Sequence, residues 1–215
     1  MGERYPGYDV LAKRRTPSWD EASRQAIDQR LTVHPGPRFF TAEEWRTLRA
    51  VCRRIVPEPP DRTPVPTPAY VDEKLFRGLL DGYRHSGLPP QGEAWRRGLA
   101  ALDAEAQATS KRHFHQLEAS EQDGLLKAMQ AGRLTDPAWG DMACDLFFSQ
   151  RLLTDITRAY YAHPTAWSDI GFGGPASPRG YVRLAVDRRD PWEASEARPG
   201  RAIRARAENR RVDRR

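Results

Sequence analysis

Cysteine is nearly absent from this chain of 215 residues, with Cys52 and Cys144 standing alone. Each lies in a helical pattern, so two buried thiols are expected rather than a disulfide. No Cys-x-x-Cys-His run attaches a haem, and no run of 18 apolar residues spans a bilayer. No Glu-x-x-His pair supplies a di-iron bundle, and neither the His-Glu-x-x-His metal motif nor a phosphate-binding loop occurs. Runs that alternate with period two are scarce, which leaves room for no sheet beyond a short hairpin around Tyr181 to Val186. Hydrophobic residues make up 39%, below the globular norm, while 30% are charged and 18 are proline. Much of the chain is therefore expected outside the core.

Positive charge is unevenly placed. The formal charge is +6, but the segment from Ala194 to Arg215 carries eight arginines against Glu196, Glu208 and Asp213. The remainder is close to neutral and offers no basic groove. A nucleic-acid function through this Arg-rich tail is the alternative to weigh, since such a run attracts phosphate without regard to sequence. It lacks aromatics to stack on bases, and a solvated tail, disordered or partly helical, is preferred.

What is present is a succession of helix signals. Ser18-Trp19-Asp20-Glu21 and Thr41-Ala42-Glu43-Glu44 both match a capping box, in which hydroxyl and carboxylate each satisfy an orphan amide of the first turn. After the second, Trp45, Leu48, Cys52 and Ile55 form one apolar stripe that Pro57 ends. Six prolines between Pro57 and Pro68 make a stiff connector. Thr67-Pro68 then opens a helix through Val71, Leu75, Leu79 and Tyr83. Another carries Trp95, Leu99, Leu102 and Ala106, and a fifth, capped at Ser120, carries Leu125, Leu126 and Met129. Asp136-Pro137 opens what reads as the longest helix, through Trp139, Met142, Leu146, Phe147, Leu153, Ile156 and Tyr160. The expected fold is all-α, an irregular helical bundle with extended Pro/Gly-rich arms. Its parts are an N-terminal arm with one short helix (1–38), a helical body (39–162), an extended strap (163–193) and the tail (194–215).

Catalytic chemistry finds no constellation. His113 and His115 are two apart and point to different sides of a helix. Asp141 and Asp145, at i and i+4, read as a solvated flank. Gly171-Phe172-Gly173-Gly174-Pro175-Ala176 has the letters of a dinucleotide-binding turn, but no apolar strand precedes it and Pro175 and Pro178 obstruct the helix that should follow.

The strap is the distinctive stretch. Pro164, Pro175, Pro178 and Pro191 deny it a continuous helix, yet Trp167, Ile170, Phe172, Tyr181 and Trp192 give it more aromatic weight than a tether carries. It must lie against something, either the chain's own core or another protein. His163-Pro164, Trp167 and Ile170 to Tyr181 resemble the C-terminal signature of the gluconate 2-dehydrogenase subunit 3 family. Phe39-Phe40-Thr41, Ile55-Val56-Pro57 and Phe147-Phe148 follow that family's order, and the resemblance runs from about Phe39 to Trp192.

The resemblance implies a small, mostly helical, non-catalytic subunit without a cofactor of its own. Its partner would be a large FAD-dependent subunit of the glucose-methanol-choline type acting on a sugar, sugar acid or alcohol, with a cytochrome c subunit as a further member. The partner-binding residues expected on this reading are His163, Trp167, Phe172, Gly173, Gly174, Arg179, Tyr181 and Trp192, the glycines for close backbone approach and Arg179 for a carboxylate. Many relatives carry a twin-arginine export signal. Here Arg14-Arg15 has no apolar run behind it, so a cytoplasmic location is expected, and a periplasmic one only by co-export with the partner.

Overall fold

In a computed structural model, residues 4–58, 63–177, 180, 190 and 192–212 are described. Among them there are helices and turns and no strand, so the all-α expectation holds. The hairpin expected around Tyr181 to Val186 lies outside the described residues. The chain divides into two compact units, Val33–Tyr160 and the pairing of Met1–Thr32 with Tyr161–Arg215.

The central unit is built on two helices whose local signals and burial agree. Helix α2 (Ala42–Ile55) starts at Thr41, whose side chain accepts from the Glu44 amide while the Glu44 carboxylate accepts from the Thr41 amide. This reciprocal cap contributes about 1 kcal/mol. Leu48, Val51 and Cys52 are its buried face, with Trp45 and Ile55 partly covered. Just upstream, the buried Asp72 carboxylate accepts the backbone amides of Arg38, Phe39 and Phe40 at 2.8, 3.0 and 3.1 Å. That side chain belongs to helix α3 (Thr67–Phe76) and fixes the entry into α2.

Helix α4 (Gln91–Ser110) is the longest, with Trp95, Leu99, Leu102 and Ala106 buried as their spacing predicts. Gly98 lies against the Phe147 ring, where an added Cβ would come within 2.4 Å of Cε1. Trp95 meets Phe147 edge-on, and Phe40 meets Trp95 likewise. Helix α5 (Ala119–Gln130) is capped at Glu118 rather than Ser120, with Glu121 completing a capping box. It ends at Gly132, where a left-handed backbone (φ +68°) lets the Arg133 amide reach the Ala128 carbonyl.

Two expectations need correction. The helix expected from Asp136 begins at Cys144, because Asp136-Pro137 opens only a 3-10 turn (Pro137–Trp139) and Gly140 turns the chain at φ +59°. From Cys144 the chain runs through α6 (Cys144–Phe147), a π-helical stretch (Phe148–Leu153) and α7 (Thr154–Tyr161). Asp141 is thereby off the helix and pairs with Arg97. Secondly, α3 stops at Phe76 and does not carry Leu79 and Tyr83 onward.

In the other unit, a 3-10 turn (Val10–Arg15) precedes helix α1 (Glu21–Leu31). Asp20, not Ser18, caps α1 by accepting from the Ser23 amide. Trp19 and Ile27 are almost wholly buried with Val10, Trp167 and Val212, which holds α1 firmly. The tail takes the partly helical alternative. Residues Ala202–Asn209 form helix α9, which is not a disordered run. Asn209 holds it by accepting from the Ser195 amide and donating to the carbonyls of Pro6 and Ser195. Ala205 and Val212 are buried beside it.

Candidate functional site

The strap does not abandon helix at once. His163 is the N-cap of α8 (Pro164–Ile170), its ring accepting from the Thr165 amide, and Pro164 occupies the first turn where no amide is missed. The helix ends in a Schellman motif. Gly171 (φ +67°) donates to the Ser168 carbonyl and the Phe172 amide donates to the Trp167 carbonyl. The hydrophobic contact that accompanies such a cap joins Trp167 and Phe172, whose rings meet edge-on with centroids 5.6 Å apart.

The residues named from sequence divide between the unit's interior and its surface. Trp167 is buried, its Nε1 donating to the Tyr161 carbonyl at 2.6 Å and its face covered by the Arg30 guanidinium. Gly174 (φ +70°) is wedged between Trp167 and Trp19, where a Cβ would lie 3.0–3.1 Å from both rings. Gly173 faces Lys13 Nζ. His163 is buried, and burial pulls its pKa below the usual 6.5. Trp192 is half-buried, and its carbonyl accepts from the Tyr8 hydroxyl. The strap is therefore helical over Pro164–Ile170 rather than extended there, and Trp167 packs in this unit's own core with Trp192 against it. Ile170 and Phe172 remain exposed at 47% and 43%. Arg179 and Tyr181 lie outside the described residues.

The central unit holds a surface that the periodicity concealed. Phe76, Leu79, Leu80 and Tyr83 are 52%, 49%, 76% and 71% exposed. Leu79 and Tyr83 continue the spacing of Val71 and Leu75, so they read as core. Gly78 (φ +63°) instead closes α3 in a Schellman motif, with the Leu79 amide on the Lys74 carbonyl, and the stripe is turned out. The two glycines four apart, Gly78 and Gly82, are the signal that marks the break. At the loop's centre Asp81 accepts from Lys74 at 2.7 Å, Arg151 at 2.8 Å and Arg158 at 3.3 Å. Burial would raise the Asp81 pKa, but the hydrogen bonds from Lys74 and Arg151 outweigh it and hold the carboxyl below its usual range. Lys74 also donates to Asp155, which is buried and takes further hydrogen bonds from Trp95 Nε1 and Gln91.

Titratable groups elsewhere serve structure. Both thiols are free and buried, and burial pushes the Cys52 pKa well up, away from a reactive thiolate. His113 and His115, expected on different sides of a helix, instead stack on one another because His113 only caps a short 3-10 turn, and His113 pairs with Asp103 at 2.8 Å. Among the described residues no three His, Cys, Asp or Glu side chains are grouped to hold a metal ion. No helix of the described residues is long and apolar enough to cross a membrane. Gly171 to Ala176 closes a helix instead of opening one, the reverse of a dinucleotide-binding turn.

No curated protein and no solved structure shows significant similarity to this chain. A family model described as gluconate 2-dehydrogenase subunit 3 matches residues 42–174. The match takes in α2 to α8 and stops at Gly174, short of the Trp192 to which the resemblance was traced. It covers more than half of the sequence, with the central unit almost entire, and on that ground the chain belongs to the gluconate 2-dehydrogenase subunit 3 family.

Proposed function

We propose that this chain is the non-catalytic small subunit of a dehydrogenase complex, binding and stabilising a large FAD-dependent subunit of the glucose-methanol-choline type. That partner would oxidise a sugar, sugar acid or alcohol and pass electrons on, with a cytochrome c subunit as the natural acceptor. The observation that carries the reading is the family match over residues 42–174, a family named as a dehydrogenase subunit. Two physical features support it. Buried carboxylates such as Asp72 and Asp155 are taken up in a cap and in hydrogen bonds to Lys74, Trp95 and Gln91, and large apolar side chains such as Leu80, Tyr83 and Phe172 stand in solvent. Exposed apolar groups of this size are usual where another protein binds.

Nucleic-acid binding through the tail is the weaker reading. Helix α9 carries no aromatic, Arg204 pairs with Glu208, and the helix is held down through Asn209. Co-expression of the full chain with a glucose-methanol-choline type flavoprotein from the same cells tests the proposal. The two are expected to purify together with bound flavin, and the flavoprotein's soluble yield is expected to fall when this chain is omitted. Dehydrogenase activity from the isolated chain, or no association with any such flavoprotein, would overturn it.

A further inference from the structure

The connection between α3 and α4 has the physical character of an interface element. Exposed apolar residues usually sit singly on a protein surface, and a concentrated group of them needs a cover. Here Phe76, Leu79, Leu80 and Tyr83 fall within eight positions, all more exposed than Phe172. A floppy loop would offer them at a cost in ordering entropy, but this one is held in advance. Gly78 and Gly82 take left-handed backbone at φ +63° and +83°, and Asp81 is tied to Lys74, Arg151 and Arg158. These ion pairs hold the centre of the loop that carries the two leucines and the tyrosine.

Charge around the patch selects the occupant. Arg77 and Arg158 reach solvent with side chains 61% and 64% exposed. Arg84 is exposed and has no carboxylate partner among the described residues. Arg38 lies over the Phe76 ring at 4.3 Å. A cleft of about 310 Å³ opens beside the loop, lined by Leu80, Tyr83, Arg84, Pro89, Pro90 and Arg151. A second copy of this chain would bring arginines against arginines, which opposes self-association. An apolar surface edged by carboxylates satisfies both the leucines and the arginines.

We infer that the Phe76–Tyr83 loop docks the large flavin subunit through an apolar groove on that subunit whose rim is acidic. This deepens the function proposed above and rests on it. Leu80 and Tyr83 are the central anchors, and Arg77, Arg84 and Arg158 provide the charged surround.

The test uses the full chain co-expressed with the flavoprotein. Leu80→Ser with Tyr83→Ser should weaken the complex about a hundredfold, as loss of two central anchors does, while the melting temperature of the free chain holds. Arg84→Glu should slow association and reduce its salt dependence. A photo-crosslinker installed at Leu80 in the otherwise native chain should yield an adduct with the flavin subunit, which keeps the inference decidable if the double variant fails to fold. Undiminished binding by the double variant, no adduct, or an adduct only with a second copy overturns the docking inference and leaves the proposed function standing. Failure of the parent chain to bind any such flavoprotein removes both.

Discussion

Phe172 meets Trp167 edge-on at 5.6 Å and 84°, five residues further along the chain and on the far side of a left-handed glycine. The contact is part of the helix cap, so one aromatic pair ends α8 and seals the unit at the same time. Trp167 is inside and Phe172 is at the edge, and substitutions at the two should behave differently.

Trp167→Ala is expected to destabilise the unit by about 3–5 kcal/mol, the usual cost of removing a buried aromatic. Phe172→Ala, at a position 43% exposed, should cost on the order of 1 kcal/mol. Chemical denaturation of both variants checks this. Equal effects would mean that Phe172 is more enclosed than described, and a neutral Trp167→Ala would remove Trp167 from the core.

Gly98 and Gly174 reject a methyl group for separate reasons. At Gly98 the backbone is ordinary helix, and the obstacle is the Phe147 ring. Alanine there should cost about 1–3 kcal/mol through overpacking, despite its better helix propensity. At Gly174 the left-handed backbone and the two indoles act together, so Gly174→Ala should cost on the order of 3 kcal/mol. Urea titration of the two variants measures both values.

Asp72 is the acceptor for three successive amides. Asp72→Ala would leave three amides, that of Phe40 buried, without their acceptor, and a loss of about 1–3 kcal/mol is expected. Amide exchange at Phe39 and Phe40 should accelerate in the variant, because the segment leading into α2 loses its anchor. Unchanged exchange at those amides would count against this role.

Lys13 is buried, donates to Ser18 Oγ at 3.0 Å and lies over the Trp19 ring. Burial lowers its pKa from 10.5 to about 8, in spite of Glu193 and Asp190 nearby. The unfolded chain then binds more protons between pH 8 and 10.5, so stability rises with pH across that window. Below it the charged amine costs on the order of 3 kcal/mol. Lys13→Met should therefore melt higher than the parent at neutral pH, with the gap narrowing as pH rises to 10.5. A gap independent of pH would mean the amine is already solvated.

The pair of His113 and Asp103 has the opposite dependence. Asp103 accepts a hydrogen bond from His113, and this raises the histidine pKa above 6.5. Burial would raise the Asp103 pKa, but hydrogen bonds from His113, the Phe114 amide and Gln107 outweigh it and hold the carboxyl below 3.8. The histidine's contribution is complete below its unfolded value and disappears as pH rises through the raised one. The aspartate's is present above its unfolded value and disappears as pH falls through the lowered one. His113→Asn should thus be more destabilising at about pH 5 than at about pH 9, as read by thermal melts.

Local chemistry is legible in one dimension. Thr41 with Glu44 announces α2, and the spacing of Trp95, Leu99, Leu102 and Ala106 announces the buried face of α4, because caps and helical stripes involve residues at most a turn or so apart. All-α character, two buried thiols and the family resemblance follow from the order of residues alone. Three-dimensional packing settled the remainder. Leu79 and Tyr83 keep a core-like spacing, yet the backbone at Gly78 turns them into solvent, and periodicity does not register a single φ angle. The strap and the tail look like loose ends, but Asn209 bonds to the Pro6 carbonyl, 203 positions away, and Trp167 shares a core with Trp19. Contacts across such separations depend on which distant surfaces meet, and no pattern within either segment encodes its counterpart.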